Sequence, residues 1–360
     1  MADILEYLAW RGDIPFSLMG LNDVDALVFS ALSYVRYEGL VPMDFSVTAP
    51  LRTVAKTILA LTRPEDRCRI AKDLQLLEAV AQSERFGRVK ITGYRCVFIP
   101  EEETQFAAMT FVLDEGTAVV TFRGTDNTLV GWKEDFNMSF LQSIPAQRLA
   151  RKYTEDLARE WSGTCYLNGH SKGGNLAIYA AAKSDPAVQD RIHAVYNQDG
   201  PGFMETMLQD LGYQRIVPKI RTFVPRNSVI GMLLEREEPI HVIRSDAMGL
   251  LQHELYSWQV SGKELVAEED LAESSRSLDR TLTTWLAGMS QTERNEFIDG
   301  MFELLMLENA QRPKDVLRPQ NIVASIRTLY GDGTKRKMMS AVLQELVNSA
   351  RSHITAQDKA

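Results

Sequence analysis

Apolar residues recur at two different spacings along this chain, and the change from one to the other divides it. Val24, Leu27, Val28, Ala31, Leu32 and Val35 fall three and four positions apart behind Asn22-Asp23. That spacing gathers one greasy stripe on a helix, and the polar residue ahead of it offers an acceptor to the first unpaired N–H groups. Two more helical runs follow, one carrying Leu51, Val54, Ile58 and Leu61, and one after Pro64 carrying Ile70, Leu74, Leu77 and Val80. None of these helices carries evident chemistry, and they are expected to cover one face of a sheet.

Near Val89 the pattern switches to strand formers. Residues 90–99, 105–113 and 117–122 read as strands, and Asp114-Glu115-Gly116 reads as the hairpin turn between two antiparallel ones. An amphipathic helix is expected over 147–161, a strand from Thr164, a helix after Ser171, and a parallel strand over 192–197. A helix over 203–211 with Phe203, Met204, Met207, Leu208 and Leu211 on one face, and a strand over 216–224, continue the alternation. Strands alternating with helices predict an α/β fold on a mostly parallel sheet.

From Gly262 the chain turns helical and charged. Leu278, Leu282, Trp285, Leu286 and Met289 share a face, Ser290-Gln-Thr-Glu293 forms a capping box, and further helices follow Pro319 and Gly333. The expected division is a core at 1–261, including the N-terminal helical cover, and a helical extension at 262–360. The extension is expected to pack on the core, with covering the site or pairing two chains into a homodimer as the alternatives.

The chemistry gathers at Gly169-His170-Ser171-Lys172-Gly173, between a strand and a helix. A serine at the apex of so sharp a turn stands clear of its neighbours, and only small residues fit two positions either side. The helix that follows aims its first N–H groups at whatever sits beside Ser171, which suits an anionic tetrahedral intermediate. The backbone N–H of Lys172 is one candidate donor, and its side chain is expected to add a cation at the rim. His170, inside the turn, is expected to be packed.

Composition narrows the choice of partner. A chain of 360 residues, 45% hydrophobic, can bury a large core, and a net charge of −8 offers no basic surface for nucleic acid. Three cysteines without paired spacing suit a reducing compartment and no metal site, and no cofactor motif is present. The first residues do not read as a secretory signal and no apolar run approaches membrane-spanning length, so a cytoplasmic location is expected.

Phe122-Arg123-Gly124-Thr125 at a strand end, then Trp132 and Asp135, then Gly-His-Ser-x-Gly-Gly, resembles the class 3, fungal-type lipases. The resemblance covers about 89–260 and looks closest to a bacterial branch of these lipase-like enzymes. It implies an α/β-hydrolase fold, an ester or acyl-lipid substrate, and a second oxyanion donor at Thr125 beside Lys172. A plain turn is the alternative for this phrase, with Arg123 in a buried ion pair, for instance with Asp135. In the resembling family the segment at 127–145 lies near the site mouth and can form a lid; ordinary packing is the other reading.

The same resemblance matches His253, in a loop ahead of a Tyr-x-Trp strand, to the family's general base. His193, His241 and His353 are more simply structural. The usual aspartate after the last strand is missing, for Asn227-Ser228 stands there. Asp199, at the tip of the preceding strand, is therefore the expected acid, with Asn227 or Ser228 as uncharged rivals; Glu235, Glu237, Glu238 and Asp246 read as surface residues. The expectation is a serine hydrolase with Ser171, His253 and Asp199 in catalysis and Lys172 and Thr125 in the oxyanion hole. The alternative is a non-catalytic hydrolase-fold scaffold or binding protein.

Overall fold

A computed structural model describes residues 2–273 apart from 115, 127, 139 and 140. The expected helices from Leu278 onward, and His353, lie outside the described residues. Eight strands form one sheet in chain order: β1 (Ala49–Pro50), β2 (Lys90–Ile99), β3 (Thr104–Asp114), β4 (Thr117–Phe122), β5 (Thr164–His170), β6 (Ile192–Gln198), β7 (Ile220–Pro225) and β8 (Ile240–Ile243). The first four pair antiparallel, and from β4 to β8 all pairs are parallel. A small hairpin of β9 (Val260–Ser261) and β10 (Glu264–Leu265) forms a second sheet, tied to the end of β8 by a bridge between Ile243 and Ala267. The β3–β4 hairpin turns where the Asp-Glu-Gly signal stood. The edge strand β1 is not among the expected strands; it pairs only with Lys90 and Ile91, and β2 then bulges between Thr92 and Arg95.

Helices cover both faces. On one side lie α1 (Ile4–Arg11), α2 (Asp23–Leu32), α3 (Leu51–Leu59), α4 (Ala71–Gln82) and the single turn α5 (Glu84–Gly87). They pack with Met109, Phe111 and Val119 of the sheet. The other side carries α6 (Leu129–Asn137), α7 (Pro145–Glu160), α8 (Lys172–Lys183), α9 (Pro186–Arg191), α10 (Glu205–Leu208) and α11 (Leu211–Ile216). Here α7, α8 and α11 bury Val120, Phe122, Leu167 and Val195. Val119 and Val120 thus point to opposite cores, as the two-residue period of a strand demands. Asn22 caps α2 by accepting from Val24 N and Asp25 N, and Asp25 returns a bond to the Asn22 N–H, which completes a capping box.

Three expected elements are corrected. The helix over 203–211 breaks at Asp210, whose side chain accepts from Gly212 N and Tyr213 N and so starts α11. Phe203 instead bridges to Glu235, and Leu211 is 86% exposed. The strand over 216–224 starts late, at Ile220, because Pro218 sits in the 3-10 turn Val217–Lys219 and has no N–H for a ladder. The Tyr-x-Trp segment is a 3-10 turn, Leu255–Ser257, ahead of β9.

The register brings three strand tips level. Phe122 pairs with Gly169 and Gly169 with Asn197, while His170 pairs with Gln198 and Gln198 with Phe223. The segments after β4, β5 and β6 therefore leave the sheet side by side, carrying Thr125, Ser171 and Asp199.

Candidate active site

Ser171 sits between β5 and α8 at φ 59°, ψ −132°, a conformation that L residues seldom adopt and that surrounding structure must impose. Its N–H bonds Gln198 O at 2.9 Å, which ties the turn to β6. The flanking glycines are steric necessities: a Cβ on Gly169 would stand 2.2 Å from the Gly173 backbone, and one on Gly173 would stand 2.1 Å from Phe122 O. Lys172 opens α8, so its N–H belongs to the first turn, where N–H groups lack intrahelical acceptors.

Asp199 follows β6 at φ 53° and is fully buried. Its Oδ2 lies 2.6 Å from His253 Nδ1, and its Oδ1 accepts from Ser228 Oγ at 2.5 Å. Ser228 therefore contacts the carboxylate and not the imidazole. The Asn227 N–H donates to Gln252 Oε1 at 2.8 Å, one residue ahead of His253. The carboxylate beside His253 thus comes from the tip of β6, the strand before β7, whose own tip has none.

His253 ends a 3-10 turn, Gly249–His253, that is pinned beside the elbow. His170 Nε2 lies 2.8 Å from the His253 carbonyl, and the two rings are 4.4 Å apart. A carbonyl only accepts, so His170 carries its proton on Nε2, and its Nδ1 accepts from Tyr34 OH at 2.7 Å. Burial, with the nearby His253 and Arg69, holds His170 well below its ordinary pKa of 6.5, in keeping with a neutral ring. His193 and His241 are exposed on β6 and β8, against Tyr166 and Phe223 respectively.

The Lys172 side chain corrects the expectation of a rim cation. It is 1% exposed and runs inward, where Nζ bonds Gln105 O at 2.8 Å, Gln105 Oε1 at 2.7 Å and Glu134 Oε2 at 2.8 Å. Glu134 also accepts from Gln105 N and Ala146 N, so the pair is desolvated but well bonded. Removing one partner of such a pair costs about 3–5 kcal/mol, because a buried charge is left alone. A lysine at the first position of a helix whose later turns are largely apolar is the only sequence signal for it.

Arg123 is corrected as well. It does not pair with Asp135; its buried guanidinium donates to Cys96 Sγ at 3.6 Å, and its Nε has no hydrogen-bond partner. Asp135 instead accepts a short hydrogen bond from Thr125 Oγ1 and lies 3.9 Å from Lys172 Nζ. Burial pushes its carboxyl up to about 6, with Lys172 and Thr125 opposing. Glu238 is no surface residue: it is buried and accepts from Tyr213 OH and Thr222 Oγ1. Among the described residues no group of three or more His, Cys, Asp or Glu side chains is placed to hold a metal ion, and no helix is long and apolar enough to cross a membrane.

A sheet of this order, with a strained serine between a parallel strand and the helix that follows, defines a lipase-like α/β-hydrolase fold. The chain belongs to the Mbeg1-like family, whose model matches residues 80–303. Among solved structures it is similar to a deletion mutant of the Rhizomucor miehei lipase propeptide complex, at 15% identity over 61% of this chain and 65% of that one, TM-score 0.38. The chain thus spans just under two thirds of that lipase. It is also similar to a fungal lipase–inhibitor complex, at 14% identity over 61% of this chain and 77% of the other, TM-score 0.40. M37 lipase matches at 14% identity over 73% of this chain and 79% of its own, TM-score 0.38. No curated protein matches the sequence.

Proposed function

We propose that this protein is a serine hydrolase of ester or acyl bonds, with Ser171 as nucleophile, His253 as general base and Asp199 as the acid that orients it. The observation that carries the reading is the 2.6 Å contact between Asp199 Oδ2 and His253 Nδ1, on a loop held beside the elbow of Ser171. With Nδ1–H given to the carboxylate, Nε2 is left to take the Ser171 proton as Oγ attacks the substrate carbonyl. Asp199 then stabilises the imidazolium, and the N–H groups of Lys172 and Thr125 receive the oxyanion. His253 returns the proton to the leaving alcohol, and a water activated by the same imidazole releases the acid from Ser171.

The short bond from Thr125 Oγ1 to Asp135 holds that residue's backbone, as a preorganised donor requires. The scaffold alternative rests on the absent carboxylate after the last strand and on the long helical tail. Asp199 beside His253 speaks against the first ground, and the helices expected in the tail lie outside the described residues. The substrate class is a small-molecule ester or an acyl lipid.

A fluorophosphonate probe tests the reading. Labelling of the wild type but not of Ser171→Ala, followed by hydrolysis of one or more members of an ester panel graded by acyl length, is the expected result. A folded wild type that is neither labelled nor active on the panel would overturn it.

A further inference from the structure

We infer that the N-terminal helical layer sets the position of the general base, with Arg69 and Tyr34 as positioning residues for His253. This rests on the reading of His253 given above. Both residues precede 80–303, the part matched by the family model.

The contacts close a circuit. Arg69 grips Glu254, the residue after His253, through two parallel bonds, Nη1 to Oε2 at 2.8 Å and Nη2 to Oε1 at 2.6 Å. The same guanidinium lies over the Tyr34 ring at 4.4 Å. Tyr34 donates to His170, and His170 donates to the His253 carbonyl at 2.8 Å. One arm of the circuit therefore holds the base from its own peptide, and the other holds it from the next residue. A third tie follows at once, for Tyr256 OH donates to Asp73 Oδ1 at 2.8 Å and Lys72 Nζ reaches Tyr256 O at 3.4 Å.

Such ties matter because the loop buries little apolar surface ahead of the base, its apolar anchors Leu255, Tyr256 and Trp258 coming only after it. Met248 and Leu251, just ahead of His253, are 70% and 72% exposed. Bidentate guanidinium–carboxylate pairs fix orientation as well as distance, and the Arg69–Glu254 pair is only partly exposed, with side chains at 20% and 31%. A misplacement of about 1 Å in a catalytic group costs on the order of a hundredfold in rate. A clamp that acts through orientation lowers turnover when cut and leaves substrate binding alone.

Arg69→Met is compared with Arg221→Met, which cuts an ion pair between β7 and Asp23 of the same layer, away from the His253 loop. The expected result for Arg69→Met is a fall of about 10- to 100-fold in kcat and in the rate of fluorophosphonate labelling, with KM within about twofold. Arg221→Met stays near wild type, and the exchanged pair Arg69→Glu with Glu254→Arg recovers part of the loss. Wild-type kcat in folded Arg69→Met, or equal losses in both single variants, would overturn the inference. Should Arg69→Met fail to fold, Arg69→Lys decides, since it keeps the charge and loses the fork: reduced kcat supports the clamp and unchanged kcat refutes it.

Amide hydrogen exchange separates this inference from the reading of the activity. In Arg69→Met the protection of residues 249–257 should fall while that of α7 holds, whether or not the wild type hydrolyses any ester.

Discussion

Two buried ionic assemblies lie on opposite sides of the sheet, and they are built to different standards. In the N-terminal layer Arg85 meets Asp25 through Nε at 2.8 Å and Nη2 at 2.5 Å. Its remaining donors go to the carbonyls of Ile14, Met19 and Gly20, and Tyr7 OH fills in on Asp25 at 2.9 Å. At the strand tips the Lys172–Glu134 pair is equally buried, yet its surroundings are not saturated. Gln105 Nε2, Arg123 Nε and Asp135 Oδ1 are buried without a hydrogen-bond partner, and Ser171 and Asp199 hold positive φ. Unmade bonds and strained backbone cost free energy. Among the described residues other such atoms occur elsewhere, Arg52 Nε and Arg69 Nε in the N-terminal layer included, but three of them lie beside the Lys172–Glu134 pair and none belongs to the Arg85–Asp25 pair. The first assembly has its donors satisfied; the second leaves neighbouring polar atoms without a hydrogen-bond partner.

The sharpest way to break this contrast is at the serine. Ser171→Ala should cut turnover by about 10⁵- to 10⁶-fold, read by ester hydrolysis. Ser171→Gly should at the same time raise the unfolding free energy, read from urea melts, by about 0.5–1 kcal/mol, since glycine accepts the positive φ without strain. A destabilised Ser171→Gly would mean that no strain resides there.

Next comes the carboxylate. Asp199→Asn should lower kcat by about 10⁴-fold, because the amide favours the wrong tautomer of His253. Ser228→Ala, which touches only the far oxygen, should cost about tenfold. A near-wild-type rate for Asp199→Asn would remove it from the proposed mechanism.

The ion pairs themselves give the third comparison. Asp25→Ala and Glu134→Ala should each lose about 3–5 kcal/mol in denaturant unfolding, since each strands a buried cation. Turnover per folded molecule should fall further in Glu134→Ala, whose partner Lys172 begins the helix behind the proposed nucleophile, Ser171. Equal turnover in the two variants would erase the functional half of the contrast.

The smallest effect is a pH slope. Burial raises the Asp135 carboxyl from its ordinary 3.8 to about 6, so the folded chain binds more protons than the unfolded one between those values. Its contribution to stability is therefore fully present below about 4 and declines as pH rises to about 6. Asp135→Asn should flatten that part of the stability profile, measured by urea melts from pH 4 to pH 7.

What the sequence disclosed follows from how local each feature is. The elbow of Ser171 is contained in five consecutive residues with a strand before and a helix after, so its strain can be read directly from the glycines. Asp199 is legible as the end of a strand, and the register that places it level with Ser171 follows once the order of strands is known. The partners of Lys172, Arg123 and Asp135 could not be read in the same way, because a charge in a sequence names no counter-charge. Arg69 and Glu254 lie 185 positions apart, and no periodicity connects them. The helix expected over 203–211 shows the reverse case: its apolar pattern reads as continuous, although Asp210 has the chemistry of a cap.

The two-residue strand at the start of the sheet has a consequence for solubility. Since β1 covers only Lys90 and Ile91, the rest of β2 is the border of an open ladder, with Phe98 about half exposed upon it. Such borders invite edge-to-edge stacking of one molecule on the next. The bulge between Thr92 and Arg95 bends this one away, and the Tyr94 N–H is taken up by Pro42 O from the preceding loop. Residues 42–50 thus cover part of this border, and trimming them should raise the tendency of the chain to self-associate.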